Sequence, residues 1–319
     1  MNSNAHKHDQ SKRNPALPAG IVASCVTPFS SDGKLELSKI QPHVNWLIGE
    51  GVNGLSPLGS SGEFTALDSG DRQRVLDAVM DANAGRLPVW GGTHHYSTQT
   101  TIELSKHAQR TGASALLIVP PYYMSPTASQ TMNHYRRIAE AVDLPVIVYH
   151  NVTLTNVDMR THHLLTLFQE GAIAGVKMSN AEPDRICQLL QESGGALRVY
   201  CGVDSVAFEG LCHGAHGWIS GIPSIVPRAA RRMYDAIALR HDLPSAREQW
   251  AILSKLMRLQ FTAYSTRGDG AHWFSVMKAT LNMIGPPVGE PQPPIQPLEP
   301  EYYPELRRIL TELGYACSS

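Results

Sequence analysis

Short apolar runs alternate with longer segments whose apolar residues recur every three or four positions, and this alternation repeats down most of the chain. Runs such as Ala115-Leu-Leu-Ile-Val119 and Pro145-Val-Ile-Val-Tyr149 are apolar throughout, the mark of strands covered on both faces, as parallel sheets require. The pattern predicts strands over 21–28, 54–58, 88–92, 115–120, 145–151, 173–178, 197–202 and 217–221. Helical spacing covers 37–49, 71–83, 98–111 and 128–142, with a further helix over 225–239 after the eighth strand. Asp68 and Ser97 stand where helix N-caps belong, and Gly112 and the Asp143-Leu-Pro145 step close their units. Eight βα units of about 20–35 residues each predict an α/β fold, a (β/α)8 TIM barrel. A doubly wound sheet is the rival, but no GxGxxG or phosphate-binding loop follows the first strand.

A C-terminal helical extension follows the barrel. Segments 247–264 and 272–284 read as helices, 286–300 as a proline-rich connector, and 301–313 as a last amphipathic helix. The chain therefore divides into a polar lead-in over 1–18, a catalytic barrel over 19–240 and a helical region over 241–319. The helical region carries little chemistry in its sequence and reads as barrel-capping helices and subunit contact. The lead-in, with His6, Lys7, His8, Lys12 and Arg13 and no apolar core, reads as disordered rather than as a signal peptide or anchor. No run approaches the roughly 18 apolar residues of a membrane span, so a cytoplasmic location is expected.

Composition narrows the partners. A chain of 319 residues, 42% of them hydrophobic, buries a sizeable core. Lys and Arg number 27 against 28 Asp and Glu, which leaves no basic surplus to collect phosphates and argues against nucleic acid as a partner. The five cysteines are odd in number and lack CxxC or zinc-like spacing, so reduced, buried thiols are expected.

Chemistry in such a barrel belongs at the C-terminal ends of the strands. Those ends carry Gly59-Ser60-Ser61-Gly62-Glu63, Pro120-Pro-Tyr122-Tyr123, Tyr149-His150-Asn151, Lys177 with Ser179, and Gly202-Val-Asp204-Ser205, with Ile219 on the eighth strand. Lys177 is flanked by apolar residues in Ile173-Ala-Gly-Val-Lys-Met-Ser179. Burial disfavours an ammonium and exposes the amine lone pair, and a neutral amine in a dry pocket attacks a ketone to give an imine. Read alone, Lys177 is a structural cation paired with a carboxylate sooner than a nucleophile; its neighbours at the mouth change that reading. The turn Gly59–Gly62 offers two hydroxyls and backbone N–H groups to a carboxylate. Tyr149, one βα unit before Lys177, is placed to relay protons. Leu154, Ser179, Gly202, Asp204 and Ile219 are the further substrate contacts expected around them. Glu63 reads as a buried structural acceptor, because a free charge there opposes carboxylate binding. His94, His95 and His150 are candidates for tuning the pocket; adjacent histidines lack metal-pair spacing, and no metal site is expected.

Gly59-Ser-Ser-Gly-Glu63, Tyr123, Tyr149 and Gly175-Val-Lys177 together resemble the dihydrodipicolinate synthase/N-acetylneuraminate lyase family, with motifs in the same order from about Gly20 to the C-terminus. The resemblance implies a Schiff base at Lys177, carboxylate binding by Ser60 and Ser61, and proton relay by Tyr149. It also implies that Tyr123 reaches a neighbouring subunit's site, hence a homo-oligomer (dimer or tetramer), and that no cofactor is needed because the imine is the electron sink. Leu154 stands where the family's synthases carry an arginine for the second substrate's carboxylate, which speaks against aspartate semialdehyde. The ending Tyr302-Tyr-Pro-Glu-Leu306 looks like the sialic acid lyases, yet those carry a glutamate where this chain has Ser205. The expected activity is a class I lyase or aldolase joining or separating a small-molecule 2-oxo acid, such as pyruvate, and an aldehyde. Two alternatives stay open: an imine-dependent dehydratase or deaminase of a 2-oxo-3-deoxy sugar acid, and a barrel that binds a 2-oxo acid without turnover.

Overall fold

The computed structural model describes residues 17–261 and 271–318. Eight parallel strands form its centre: β1 Gly20–Ser24, β2 Gly54–Ser56, β3 Trp90–Gly92, β4 Ala115–Ile118, β5 Val146–His150, β6 Gly175–Met178, β7 Arg198–Cys201 and β8 Gly217–Trp218. Their order, β2-β1-β8-β7-β6-β5-β4-β3, is that of a barrel laid open between β2 and β3. A parallel bridge between Leu55 and Val89 joins those two strands, with Leu55 N–H donating to Pro88 O at 3.0 Å and Gly92 N–H to Pro57 O at 3.1 Å. The predicted (β/α)8 barrel is the fold observed.

Eight helices surround it: α1 Ile40–Gly49, α2 Ser69–Asn83, α3 Thr98–Arg110, α4 Ala128–Ala141, α5 Thr161–Gln169, α6 Pro183–Glu192, α7 Ala207–Cys212 and α8 Pro227–Ala238. Asp68 caps α2 by accepting from Asp71 N–H at 2.7 Å, and Ser97 caps α3 by accepting from Thr100 N–H, as the sequence predicts. Period-2 alternation splits the core in two. Leu116, Ile118, Val146 and Val148 face the helices, whereas Trp90, Leu117, Ile147, Tyr149 and Tyr200 fill the barrel.

Predicted boundaries move where polar work begins. The first strand stops at Ser24, and the eighth at Trp218, where the chain turns into a short helix Gly221–Ile225. Beyond the barrel come α9 Leu243–Leu259, α10 Trp273–Ile284 and α11 Tyr303–Glu312. Residues 262–264 of the predicted 247–264 helix, and residues 1–16 of the lead-in, lie outside the described residues. Leu17 is buried among the interior residues, and Pro18 O accepts from Tyr200 OH at 3.1 Å, so the chain joins the barrel floor at Leu17. All five cysteines are free thiols; Cys25 and Cys201 are buried, but Cys212 is exposed, against expectation. Among the described residues no helix is long and apolar enough to cross a membrane.

Candidate active site

In the register of β5, β6 and β7, Tyr149 stands opposite Lys177, and Lys177 opposite Tyr200. Val176 and Met178 pack outward against the helices, so alternation turns Lys177 toward the barrel axis. Its Nζ lies 3.7 Å from the centroid of the Tyr149 ring, a cation on an aromatic face. Lys177 is 4% exposed and Tyr149 5%, so the pair meets water only through the mouth. The Tyr149 hydroxyl lies 3.4 Å from Ser60 Oγ. Burial alone would raise the phenol's pKa; the Lys177 charge, with hydrogen bonds to Ser60, Asn151 and Lys177, outweighs it and holds the phenol below its ordinary value.

Ser60–Gly62 forms one turn of 3-10 helix directly after β2. The turn engages the N–H groups of Gly62 and Glu63, which donate to Gly59 O and Ser60 O at 3.0 and 2.9 Å. The leading amides, on Ser60 and Ser61, stand outside that ladder, as the first N–H groups of any helical turn do. Two non-glycine residues in the left-handed region flank it, Leu58 at φ +63° and Glu63 at φ +51°. Strain of this kind persists only where surroundings enforce it. Here Gly92 does so on one side, because a Cβ there would fall 2.3 Å from Leu58 O. On the other side Thr27 Oγ donates to Gly62 O at 2.7 Å.

Gly202 is a second enforced glycine. A Cβ on it would lie 2.7 Å from Lys177 Cγ and 2.2 Å from Ser179 Oγ, which donates to Gly202 O at 2.9 Å. The bare backbone leaves room beside it for the lysine stem. Ile219 is fully buried in the barrel interior. The Asp204 carboxylate accepts from Trp218 Nε1 at 3.0 Å and Ile222 N–H at 3.3 Å. Burial pushes its pKa up to about 6 despite those bonds. It ties β7 to the loop after β8, whereas Ser205 is exposed.

Leu154 is half exposed on the short helix Val152–Thr155, which Asn151 caps by accepting from Leu154 N–H at 3.2 Å. Tyr123 is 87% exposed with φ +72° and stands apart from the Lys177 cluster within its own chain. His150 is not a pocket residue. It shares the outward parity of Val146 and Val148, and its Nε2 accepts from Met159 N–H at 3.0 Å. His94 is buried, with Nδ1 3.1 Å from Leu117 O; burial and nearby Arg72 push its pKa down to about 3, leaving a neutral ring. His95 Nδ1 accepts from Ser97 N–H at 3.0 Å. Thr27, which grips the turn, and Arg72, buried and donating to Gly92 O at 3.1 Å, lie in no motif; Thr27 follows the end of β1 closely, and Arg72 stands in the first turn of α2.

A buried strand lysine on an aromatic face, beside a hydroxyl-bearing turn at the mouth of a (β/α)8 barrel, defines the class of amine-dependent barrel enzymes. Residues 17–313 match the model of the dihydrodipicolinate synthetase family. The chain belongs to that family. A 4-hydroxy-tetrahydrodipicolinate synthase of Ralstonia nicotianae is 31% identical over 298 residues, 93% of this chain and 98% of the relative. Among solved structures, the chloride-inhibited dihydrodipicolinate synthase of Acinetobacter baumannii, complexed with pyruvate, shares 30% identity at a TM-score of 0.84, covering 93% of this chain and 99% of that one. YagE, a prophage protein of the same family from E. coli K12 in complex with pyruvate, is 28% identical with a TM-score of 0.84, over 94% of this chain and all of that one (100%).

Proposed function

We propose that Lys177 condenses with the 2-oxo group of pyruvate or a related 2-oxo acid, and that the enzyme makes or breaks a C–C bond to an aldehyde. The observation that carries this is the connected set Lys177–Tyr149–Ser60, with Nζ 3.7 Å from the phenol ring and the phenol 3.4 Å from Ser60 Oγ. The amine adds to the carbonyl, the carbinolamine loses water, and the resulting iminium withdraws electrons so that C3 can lose a proton. The enamine attacks the aldehyde; water then releases the product and the free amine. Tyr149 moves the proton at the carbinolamine and at the aldehyde oxygen, a task suited to a phenol held below its ordinary pKa. Ser60 and Ser61 hold the carboxylate through hydroxyls and leading amides, with Gly59 giving the turn its entry. Ser179, Gly202 and Ile219 shape the walls.

Two relatives were solved in complex with pyruvate, which supports the same 2-oxo acid here. Leu154 presents an apolar side chain at the mouth, which favours an aldehyde without a carboxylate at that point. Tyr123 completes the site of a neighbouring copy in a homo-oligomer. Five free thiols accord with a cytoplasmic setting.

Borohydride reduction of the chain incubated with pyruvate tests the reading. A covalent mass increase on the Lys177 peptide is expected; none, where a known imine-forming lyase is trapped, overturns it. Incubation with a panel of 2-oxo-3-deoxy acids then separates C–C cleavage, which releases pyruvate and an aldehyde, from loss of water or ammonia, which releases neither.

A further inference from the structure

The deepest ion pair among the described residues joins the barrel to the C-terminal region. Lys278, on α10, is 1% exposed, and its Nζ lies 3.0 Å from Oε1 of Glu63, itself 4% exposed. A buried pair is weak evidence for stability, because desolvation offsets most of its attraction. Its surroundings indicate another role. Glu63 is the left-handed residue that ends the Ser60–Gly62 turn. Its Oε2 accepts from Gln292 N–H at 2.7 Å, from the connector after α10. Lys278 Nζ also donates to Thr27 O at 2.7 Å, and the Thr27 hydroxyl donates to Gly62 O at 2.7 Å. Lys278 is itself held by Glu290 O at 3.2 Å and by the face of Phe29 at 4.5 Å. One ammonium thus grips the last two residues of the turn, Gly62 through Thr27 and Glu63 directly.

The same contacts answer an electrostatic question. Glu63 adjoins Ser60 and Ser61, where the proposed function places a substrate carboxylate. An uncompensated carboxylate there would repel that anion across a medium of low dielectric. Lys278 supplies the counter-charge and, through Thr27, the backbone setting of the turn.

We propose that Lys278 is a positioning residue for 2-oxo acid binding: it neutralises Glu63 and fixes the Ser60–Ser61 turn, so the C-terminal region serves the active site and not only the exterior of the barrel. This rests on the imine reading of Lys177.

The test uses the full chain, with half-saturating pyruvate for borohydride trapping as the readout. Lys278→Met keeps the aliphatic stem and leaves Glu63 unpaired; half-saturation is expected to rise at least about tenfold, with the trapping rate at saturation within a few-fold of wild type. Glu63→Gln with Lys278→Met removes both charges and is expected to recover most of the loss. Thr27→Val, a mild change that cuts only the hydroxyl link to Gly62, is expected to raise half-saturation several-fold and serves if Lys278→Met does not fold. Folded variants with wild-type half-saturation overturn the inference, as does a double variant no better than Lys278→Met. A wild-type chain that is not trapped overturns the imine reading itself.

Discussion

At the residue scale the argument turns on what surrounds one amine. A lysine on a buried strand is ordinarily a paired structural cation, yet Lys177 is set on the face of Tyr149, and that phenol is within reach of Ser60. Lys177→Ala should keep its fold, since a smaller side chain at the mouth leaves the strand ladder intact, and should lose both trapping and turnover. Tyr149→Phe separates the steps. The ring remains under the amine while the proton path is cut, so kcat should fall on the order of a hundredfold or more; imine trapping at saturating pyruvate should persist, at a reduced rate. Turnover near wild type in purified Tyr149→Phe would remove the phenol from the mechanism. Gly202→Ala tests the room left for the lysine stem. Its methyl would meet Lys177 Cγ at 2.7 Å and Met178 O at 2.9 Å, and overpacking of this sort costs about 1–3 kcal/mol. Thermal melts should show the loss of stability, and trapping should slow because the amine is displaced.

At the element scale, the strands were legible because parallel strands buried on both faces are apolar over nearly their whole length, as in Ala115–Ile118 and in Val146–His150 up to its terminal histidine. Helix starts were legible through Asp68 and Ser97, whose side chains cap as their types predict. The ends of β1 and β8 were not, because there the backbone leaves the ladder to build the mouth and its bonds go to side chains, such as Ser24 N–H to Ser224 Oγ at 2.8 Å. Asp204 belongs to this class: its bonds to Trp218 and Ile222 join two elements, and no local spacing records them. That assignment predicts a pH dependence. Its pKa is raised from 3.8 to about 6 on folding, so the native state holds the proton more tightly than the unfolded chain. Its contribution to stability is complete below pH 4 and is lost as pH rises to 6, by about 3 kcal/mol. Urea melts of Asp204→Asn should lack that decline between the two pH values. A decline as steep as wild type's would show that other groups cause it.

At the scale of the whole molecule, what could be read in advance was what lies close along the chain: the turn after the second strand, the lysine on the sixth, the tyrosine on the fifth. The partners that hold them, Thr27 and Lys278 against Gly62 and Glu63, come together only through the closure of the barrel and the return of α10, and no local spacing records them. Tyr123 is the same problem carried one level further. It is 87% exposed on a strained backbone, with Met124 beside it 77% exposed and Tyr96 59% exposed. Apolar groups are left open to solvent in this way where a second surface covers them. If Tyr123 serves the site of a neighbouring copy, Tyr123→Phe and Lys177→Ala damage different sites in a mixed assembly. A Lys177→Ala subunit lends its intact Tyr123 to the partner's intact Lys177, and that site works. Each of the two preparations alone should show little turnover. Dissociated, mixed in equal amounts and reassembled, they should recover roughly a quarter of wild-type activity, because half of a random set of two-fold pairs is mixed and one site in each such pair is whole. Recovery should appear only in the fraction that sediments as an oligomer. No recovery from mixed oligomers would confine Tyr123 to its own chain or remove it from the chemistry.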